Sequence, residues 1–284
     1  MKPSAFEYIA PETTEEALEA LAEHGDEATI LAGGQSLIPM MNLRIAAPPR
    51  LIDIMRIREL AFIRREDGWI EIGAGMRMAQ AEREVGSPLL TAALRHVGHP
   101  AIRHCGTVCG SVAHADPAAE IPAVLLALDG EIVLRSVRGQ RVLPAGDFLR
   151  SYFTTARKAD ELVVAVRVPA KARRTVFHEV TPRLGGSTGE FATVAVAGSA
   201  ELDDQGRFAK VSIAIAGVAE RAIRAREAEA LLTGAAATPD DIAAAAERAA
   251  GAVDPPVDVH AGPEYRRRLV RALVRRALEE LAAP

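Results

Sequence analysis

Cysteine is scarce in this chain. Cys105 and Cys109 are the only two in 284 residues. That is too few to staple a small secreted fold, or to ligate an iron–sulfur cluster unaided. Lysine is scarce as well, at Lys2, Lys158, Lys171 and Lys210 only, so arginine carries the basic character. With heavy alanine use, that bias points to genome composition rather than function. A formal charge of −4 supplies no basic field for a nucleic-acid backbone or an anionic membrane. No stretch approaches the roughly 18 uncharged apolar residues that a membrane span needs. Met1–Glu7 has no apolar run and does not read as a signal peptide, so the cytoplasm is the default compartment. No Walker A sequence occurs, which argues against ATP or GTP hydrolysis. Neither Ser36 nor Ser111 sits in a Gly-x-Ser-x-Gly elbow, which argues against a hydrolase nucleophile.

What is present is an ordinary globular composition, 49% apolar and 25% charged. The length suits two or three modest domains. The first third alternates short strands and helices: a strand at Phe6–Ile9, a helix from the capping signal Thr13-Thr14-Glu15-Glu16 to about His24, and a strand at Thr29–Ala32. A helical turn at Ser36–Asn42, a strand at Arg50–Asp53 and a period-2 strand at Trp69–Gly73 follow. Helical patterns then recur at Ser87–Arg95 and Ile121–Leu128, and strands at Glu131–Arg135 and Leu162–Val168. Beyond about Lys171 the character changes. Phe191–Leu202 and Arg207–Val218 form a hairpin around Asp203-Asp204-Gln205-Gly206, Thr238-Pro239-Asp240-Asp241 caps a helix, and a last helix covers Gly262–Leu281. These changes place a boundary near residue 172, giving units 1–172, with subdomains of about 1–55 and 56–172, and 173–284.

Two segments carry the chemistry. Leu31-Ala32-Gly33-Gly34-Gln35-Ser36 runs from a strand through a glycine pair into a helical turn. Glycines let successive N–H groups converge on an anion, and a helix start adds partial positive charge. Alone, such a segment is more often an ordinary strand–turn–helix connection. The second is Thr107-Val108-Cys109-Gly110-Ser111, with small residues and hydroxyls, followed by the acids Asp116 and Glu120, which could accept from ribose hydroxyls. Together the two suit the phosphates and ribose of a dinucleotide. Other candidates are weaker. Gly73-Ala74-Gly75-Met76-Arg77-Met78 begins like a dinucleotide fingerprint, but Met78 stands where a third glycine belongs. His96, His99 and His104 with the two cysteines match no common zinc spacing. His114 reads as a packed histidine rather than a base, and no catalytic or metal residue is assigned.

Taken together, these segments resemble the FAD-binding (medium) subunit of the carbon monoxide dehydrogenase/xanthine dehydrogenase family of molybdenum hydroxylases. The resemblance covers Ala32–Ser36 with Leu37-Ile38-Pro39-Met40 and Arg44, and Thr107–Ser111 with Ala113-His114-Ala115-Asp116-Pro117. It continues through Asp160-Glu161-Leu162, Arg167-Val168-Pro169, Gly189-Glu190-Phe191-Ala192 and Glu264-Tyr265-Arg266-Arg267. It implies an α+β fold: a two-subdomain FAD-binding domain of the vanillyl-alcohol oxidase/PCMH type, then a C-terminal domain of antiparallel sheet plus helices. It implies that residues 31–36 and 107–111 hold the FAD diphosphate through backbone N–H groups. Glu120 would meet the ribose, Asp116 would shape that loop, Leu162 would lie near the adenine, and Phe191 beside the isoalloxazine.

The resemblance further implies partners that carry molybdopterin (a large subunit) and two [2Fe-2S] clusters (a small subunit), assembled as a dimer of heterotrimers. The chain would then be an oxidoreductase subunit that holds a flavin. The low cysteine count agrees with that division of labour. A self-contained FAD oxidoreductase and a flavin-free assembly subunit are the alternatives. Two departures stand out: Cys109 occupies the usual first glycine of the second loop, and Leu184–Thr188 reads as a short Gly/Ser-rich insertion.

Overall fold

The computed structural model describes residues 2–171, 173–182 and 190–283. Ala172, at the expected boundary, and the expected Leu184–Thr188 insertion lie outside the described residues. At the N-terminus, Thr13 accepts the Glu16 N–H at 3.2 Å and starts the helix Thr14–His24. The Glu16 carboxylate reaches back to the Glu12 N–H at 2.8 Å, one residue beyond the site a capping box would use. Ala17, Leu18 and Leu21 bury one face of this helix. It links strand Glu7–Ile9 to strand Ala28–Leu31, and Arg50–Asp53 runs parallel between them. The middle strand pairs both neighbours at the same residues, Leu51 opposite Tyr8 and Thr29.

A second sheet has five antiparallel strands in the order Ile63–Glu66, Trp69–Gly73, Leu162–Pro169, Glu131–Ser136, Gly139–Pro144. Leu162–Pro169 is its central strand, and Leu162, Val163, Ala165, Val166 and Val168 are all buried. Between its halves, the chain forms a layer of short helices: Met78–Glu84, Pro88–Leu94, Pro100–Cys105, Val108–His114 and Glu120–Ala127. Glu120–Ala127 is buried on every side.

Beyond residue 173 a third sheet takes the order Arg174–Val180, Val194–Leu202, Phe208–Ala216, Ile223–Arg224, all antiparallel. The expected strand from Phe191 begins only at Val194. The alternation Val194-Ala195-Val196-Ala197 sends valines to one face and alanines to the other. Val194, Val196, Ile213 and Ile215 pack into a core with helices Arg226–Leu232, Pro239–Gly251 and Pro263–Ala282. Ala195, Ala197, Ala214 and Ala216 join the N-terminal core instead. Small side chains let the buried helix approach closely enough for the Ser199 hydroxyl to donate to the Ala127 carbonyl at 2.7 Å.

Helix Pro239–Gly251 carries a complete capping box, with Thr238 accepting from the Asp241 N–H and Asp241 accepting from the Thr238 N–H. Thr238→Ala is expected to lower stability by about 1 kcal/mol, seen as a fall of a few degrees in Tm. An unchanged melting curve would show that the cap contributes nothing.

Candidate functional site

Strand Ala28–Leu31 delivers the first loop to a cavity of about 420 Å³, within the range of small-molecule sites. Gly34 takes φ +70°, a left-handed turn that favours glycine. The Gln35 amide donates to the Gly33 carbonyl at 3.0 Å and closes the loop, and Ile38 N–H donates to Gly34 O to open the helix Leu37–Asn42. The N–H groups of Gly33, Gly34, Gln35, Ser36 and Leu37 have no acceptor among the described residues, and all five residues line the cavity. The Ser36 hydroxyl makes no hydrogen bond among them either. A run of uncommitted donors at a strand-to-helix turn is the arrangement that binds a diphosphate.

The second loop is built differently from the expectation. From Val108 it is helix, Val108–His114, because the Thr107 hydroxyl caps it by accepting the Gly110 N–H at 3.1 Å. Val108 and Val112, one turn apart, are fully buried and hold the helix down. Val108 N–H donates to Met76 O and Ser111 N–H to Thr107 O. Among the described residues, the N–H groups of Thr107 and Cys109 and the Ser111 hydroxyl have no hydrogen-bond partner. The two loops touch. A Cβ on Gly33 would overlap the Cys105 carbonyl oxygen and lie 2.5 Å from Gly106 Cα.

Cys109 needs none of glycine's freedom, since its backbone is helical and its φ is not positive. Its Sγ donates to the Ile72 carbonyl at 3.4 Å, within the core, and burial pushes the thiol up to about 12. It stays a neutral, unreactive thiol at physiological pH. Cys105 is exposed. A thiol reagent on the native chain is therefore expected to titrate one cysteine, and two after denaturation. Rapid native labelling of both would contradict this placement.

Of the remaining expected residues, Asp116 accepts the Ala118 N–H at 2.8 Å and shapes the turn into helix Glu120–Ala127. Glu120 opens that helix and lines the cavity, and burial pushes its carboxyl to about 7. Leu162, buried, and Phe191, 64% exposed, line it too. So do Ala32, Gly33, Gly34, Gln35, Ser36, Thr107, Cys109, Gly110 and Ser111, whereas Leu31 and Val108 do not. Several wall residues carried no signal in the sequence. Phe153, at φ +50° on the hairpin of Leu149–Ser151 and Thr154–Thr155, packs against His114 with ring centroids 5.0 Å apart and the planes tilted by 45°. Burial keeps the His114 imidazole below its ordinary value, and thus neutral at pH 7. Arg157 also lines the wall.

These features fit a dinucleotide: uncommitted donors on two touching loops, a buried acid and apolar walls. Comparison with known families decides which. The model described as "FAD binding domain in molybdopterin dehydrogenase" matches residues 4–171, and "CO dehydrogenase flavoprotein C-terminal domain" matches 180–281. The chain belongs to this flavoprotein family. It carries an FAD-binding domain, and its α+β fold is that of the medium subunits. It is 40% identical to the 6-hydroxypseudooxynicotine dehydrogenase complex subunit alpha of Paenarthrobacter nicotinovorans, covering 98% of this chain and 95% of that one. It is 34% identical to the glyceraldehyde dehydrogenase medium chain of Sulfolobus acidocaldarius, over 99% of this chain and 100% of that one. Among solved structures, carbon monoxide dehydrogenase from Hydrogenophaga pseudoflava superposes with TM-score 0.94 at 36% identity, covering 99% of this chain and 98% of that one. Among the described residues of the present flavoprotein, no helix is long and apolar enough to cross a membrane.

Proposed function

We propose that this chain is the flavin-carrying electron-transfer subunit of a multi-subunit molybdenum hydroxylase. The observation that carries the reading is the run of uncommitted N–H groups from Gly33 to Leu37, facing Thr107–Ser111 across one cavity. Bound there, FAD supplies a redox carrier between the iron–sulfur clusters of a partner and an external acceptor. The chain's own residues position it. Gly33–Ser36 and the start of helix Val108–His114 hold the diphosphate, and the hydroxyls of Ser36 and Ser111 add donors. Glu120 accepts from a ribose hydroxyl, Leu162 lies against the adenine, and Phe191 screens the isoalloxazine.

We further take the chain as two units divided near residue 172, the first split near residue 55, working in the cytoplasm. Its partners are a large molybdopterin subunit and a small subunit with two [2Fe-2S] clusters, paired as a dimer of heterotrimers. The relatives' names mention a nicotine-derived compound, glyceraldehyde and carbon monoxide, while the medium-chain fold stays the same. That contrast supports leaving substrate choice to the large subunit.

Purification of the chain with its partners tests the reading. One FAD per chain, reduced when substrate reaches the molybdenum subunit, is the expected result. A colourless complex that takes up no FAD would leave an assembly role instead. Substrate oxidation by the isolated chain would favour a self-contained oxidoreductase.

A further inference from the structure

Arg157 is the only arginine or lysine among the described residues that line the cavity, where Asp116, Glu120 and Glu190 are the acids. Its Nη1 donates to three backbone carbonyls, Lys158 O at 3.0 Å, Ala159 O at 3.2 Å and Glu161 O at 2.8 Å. Three bonds on one nitrogen fix the guanidinium by its edge. Nε and Nη2 have no partner among the described residues, and no carboxylate there lies within ion-pair distance of this side chain. The acids that act on it across space are Glu161, Asp26 and Asp160. Glu161 is bound to Arg141 and Asp160 to Arg138. Burial depresses the Arg157 pKa. A largely desolvated cation without a counter-ion is costly unless a ligand meets it.

Its position tells which part of a ligand would do so. Nη1 grips the carbonyl just before Leu162, and Leu162 and Val163 line the same cavity. Asp26 precedes strand Ala28–Leu31, so Arg157 lies toward the start of that strand. The glycine loop with its phosphate donors is at the other end. We infer that Arg157 recognises the adenosine half of FAD, its guanidinium group meeting the adenine ring beside Leu162. Arginine does this well, because its planar cation either stacks on an aromatic face or turns its edge N–H groups to ring nitrogens. The side chain would thereby select FAD over FMN, which shares everything except the adenosine monophosphate.

The inference rests on FAD occupying the cavity as proposed above. The test uses the full chain assembled with its partner subunits and stripped of flavin, titrated with FAD, FMN and ADP. Arg157→Leu is expected to weaken FAD and ADP by about tenfold or more and to leave FMN unchanged. Arg157→Lys, which keeps the charge without the plane, falls between. The melting temperature of the flavin-free complex reports any loosening of the Lys158–Glu161 turn. Equal losses for FAD and FMN would reduce Arg157 to a prop for that turn, and unchanged FAD affinity would also overturn the inference. If the wild-type complex binds neither flavin, the flavin reading itself falls and this inference with it.

Discussion

Gly33→Ala is expected to yield a folded chain that no longer retains FAD, with affinity reduced at least a hundredfold. The added methyl would overlap the carbonyl oxygen of Cys105 and press on Gly106 Cα at 2.5 Å. Neither is the movable end of a side chain. The Cys105 carbonyl closes helix Pro100–Cys105 and accepts from Arg77 Nη1 at 2.8 Å, so it is held from behind. The two loops must therefore part, and the free N–H groups of residues 33–37 move off the phosphates they would bind. Overpacking of this kind costs about 1–3 kcal/mol in stability, which a chain this size survives. The loss of binding is larger, because several charge-assisted hydrogen bonds fail together. Gly251→Ala is the control. Nothing lies within 4 Å of its added Cβ and its φ is not positive, so it is expected to be neutral or mildly stabilising. FAD content and the flavin Kd are the measurements. A Gly33→Ala protein with full FAD at unchanged Kd would show that the contact between the loops does not position the donors.

Why Gly33 could be singled out early, and the second loop could not be drawn correctly, is a matter of where the information lies. Strand, glycine pair and helical turn are local signals, and all three occur where their residue types place them. The hairpin at Asp203–Gly206 and the cap at Thr238 are local too. Gly106–Ser111, by contrast, reads as a loop, since glycine, serine and cysteine are poor helix formers. Helix Val108–His114 exists because Val108 and Val112 have a core to enter and Thr107 is free to cap, and both conditions are tertiary. The order of the five-stranded sheet is likewise invisible locally, because Leu162–Pro169 pairs with Trp69–Gly73 across the intervening helices. Strand Arg174–Val180 was not foreseen at all. Its residues do not alternate between buried and exposed, since it packs against helices as well as strand Val194–Leu202. Arg157 had no pattern to reveal it, for its role depends on three carbonyls turning toward it.

Glu179→Gln is expected to make the flavin-free chain more stable at pH 9 and no more stable at pH 5. Glu179 lies on strand Arg174–Val180 with its side chain 1% exposed, and neither carboxyl oxygen has a hydrogen-bond partner among the described residues. The nearest cationic candidate is His96, whose Nδ1 is 3.9 Å away and whose own burial keeps it neutral at pH 7. Burial, with repulsion from Glu120, pushes the Glu179 carboxyl to about 8, and burial pushes Glu120 to about 7. Both folded values exceed the unfolded value near 4.5. The native state therefore binds more protons than the unfolded chain between these limits, and its stability falls as pH rises through them. The contribution is fully present below the unfolded value and is gone above about pH 8. Asp129 behaves oppositely. Lys210 and Arg224 hold its pKa below the ordinary value, so its contribution is lost only in acid, outside this window. Each pKa unit corresponds to about 1.4 kcal/mol, and burying an uncompensated amide returns part of the gain. The net advantage of Glu179→Gln at pH 9 is therefore on the order of 1–3 kcal/mol, a shift of several degrees in Tm. Melting both proteins at pH 5, 7 and 9 measures it. A difference that stays constant across that range would mean Glu179 is ionised in the folded chain throughout, with a counter-charge that the present geometry does not contain.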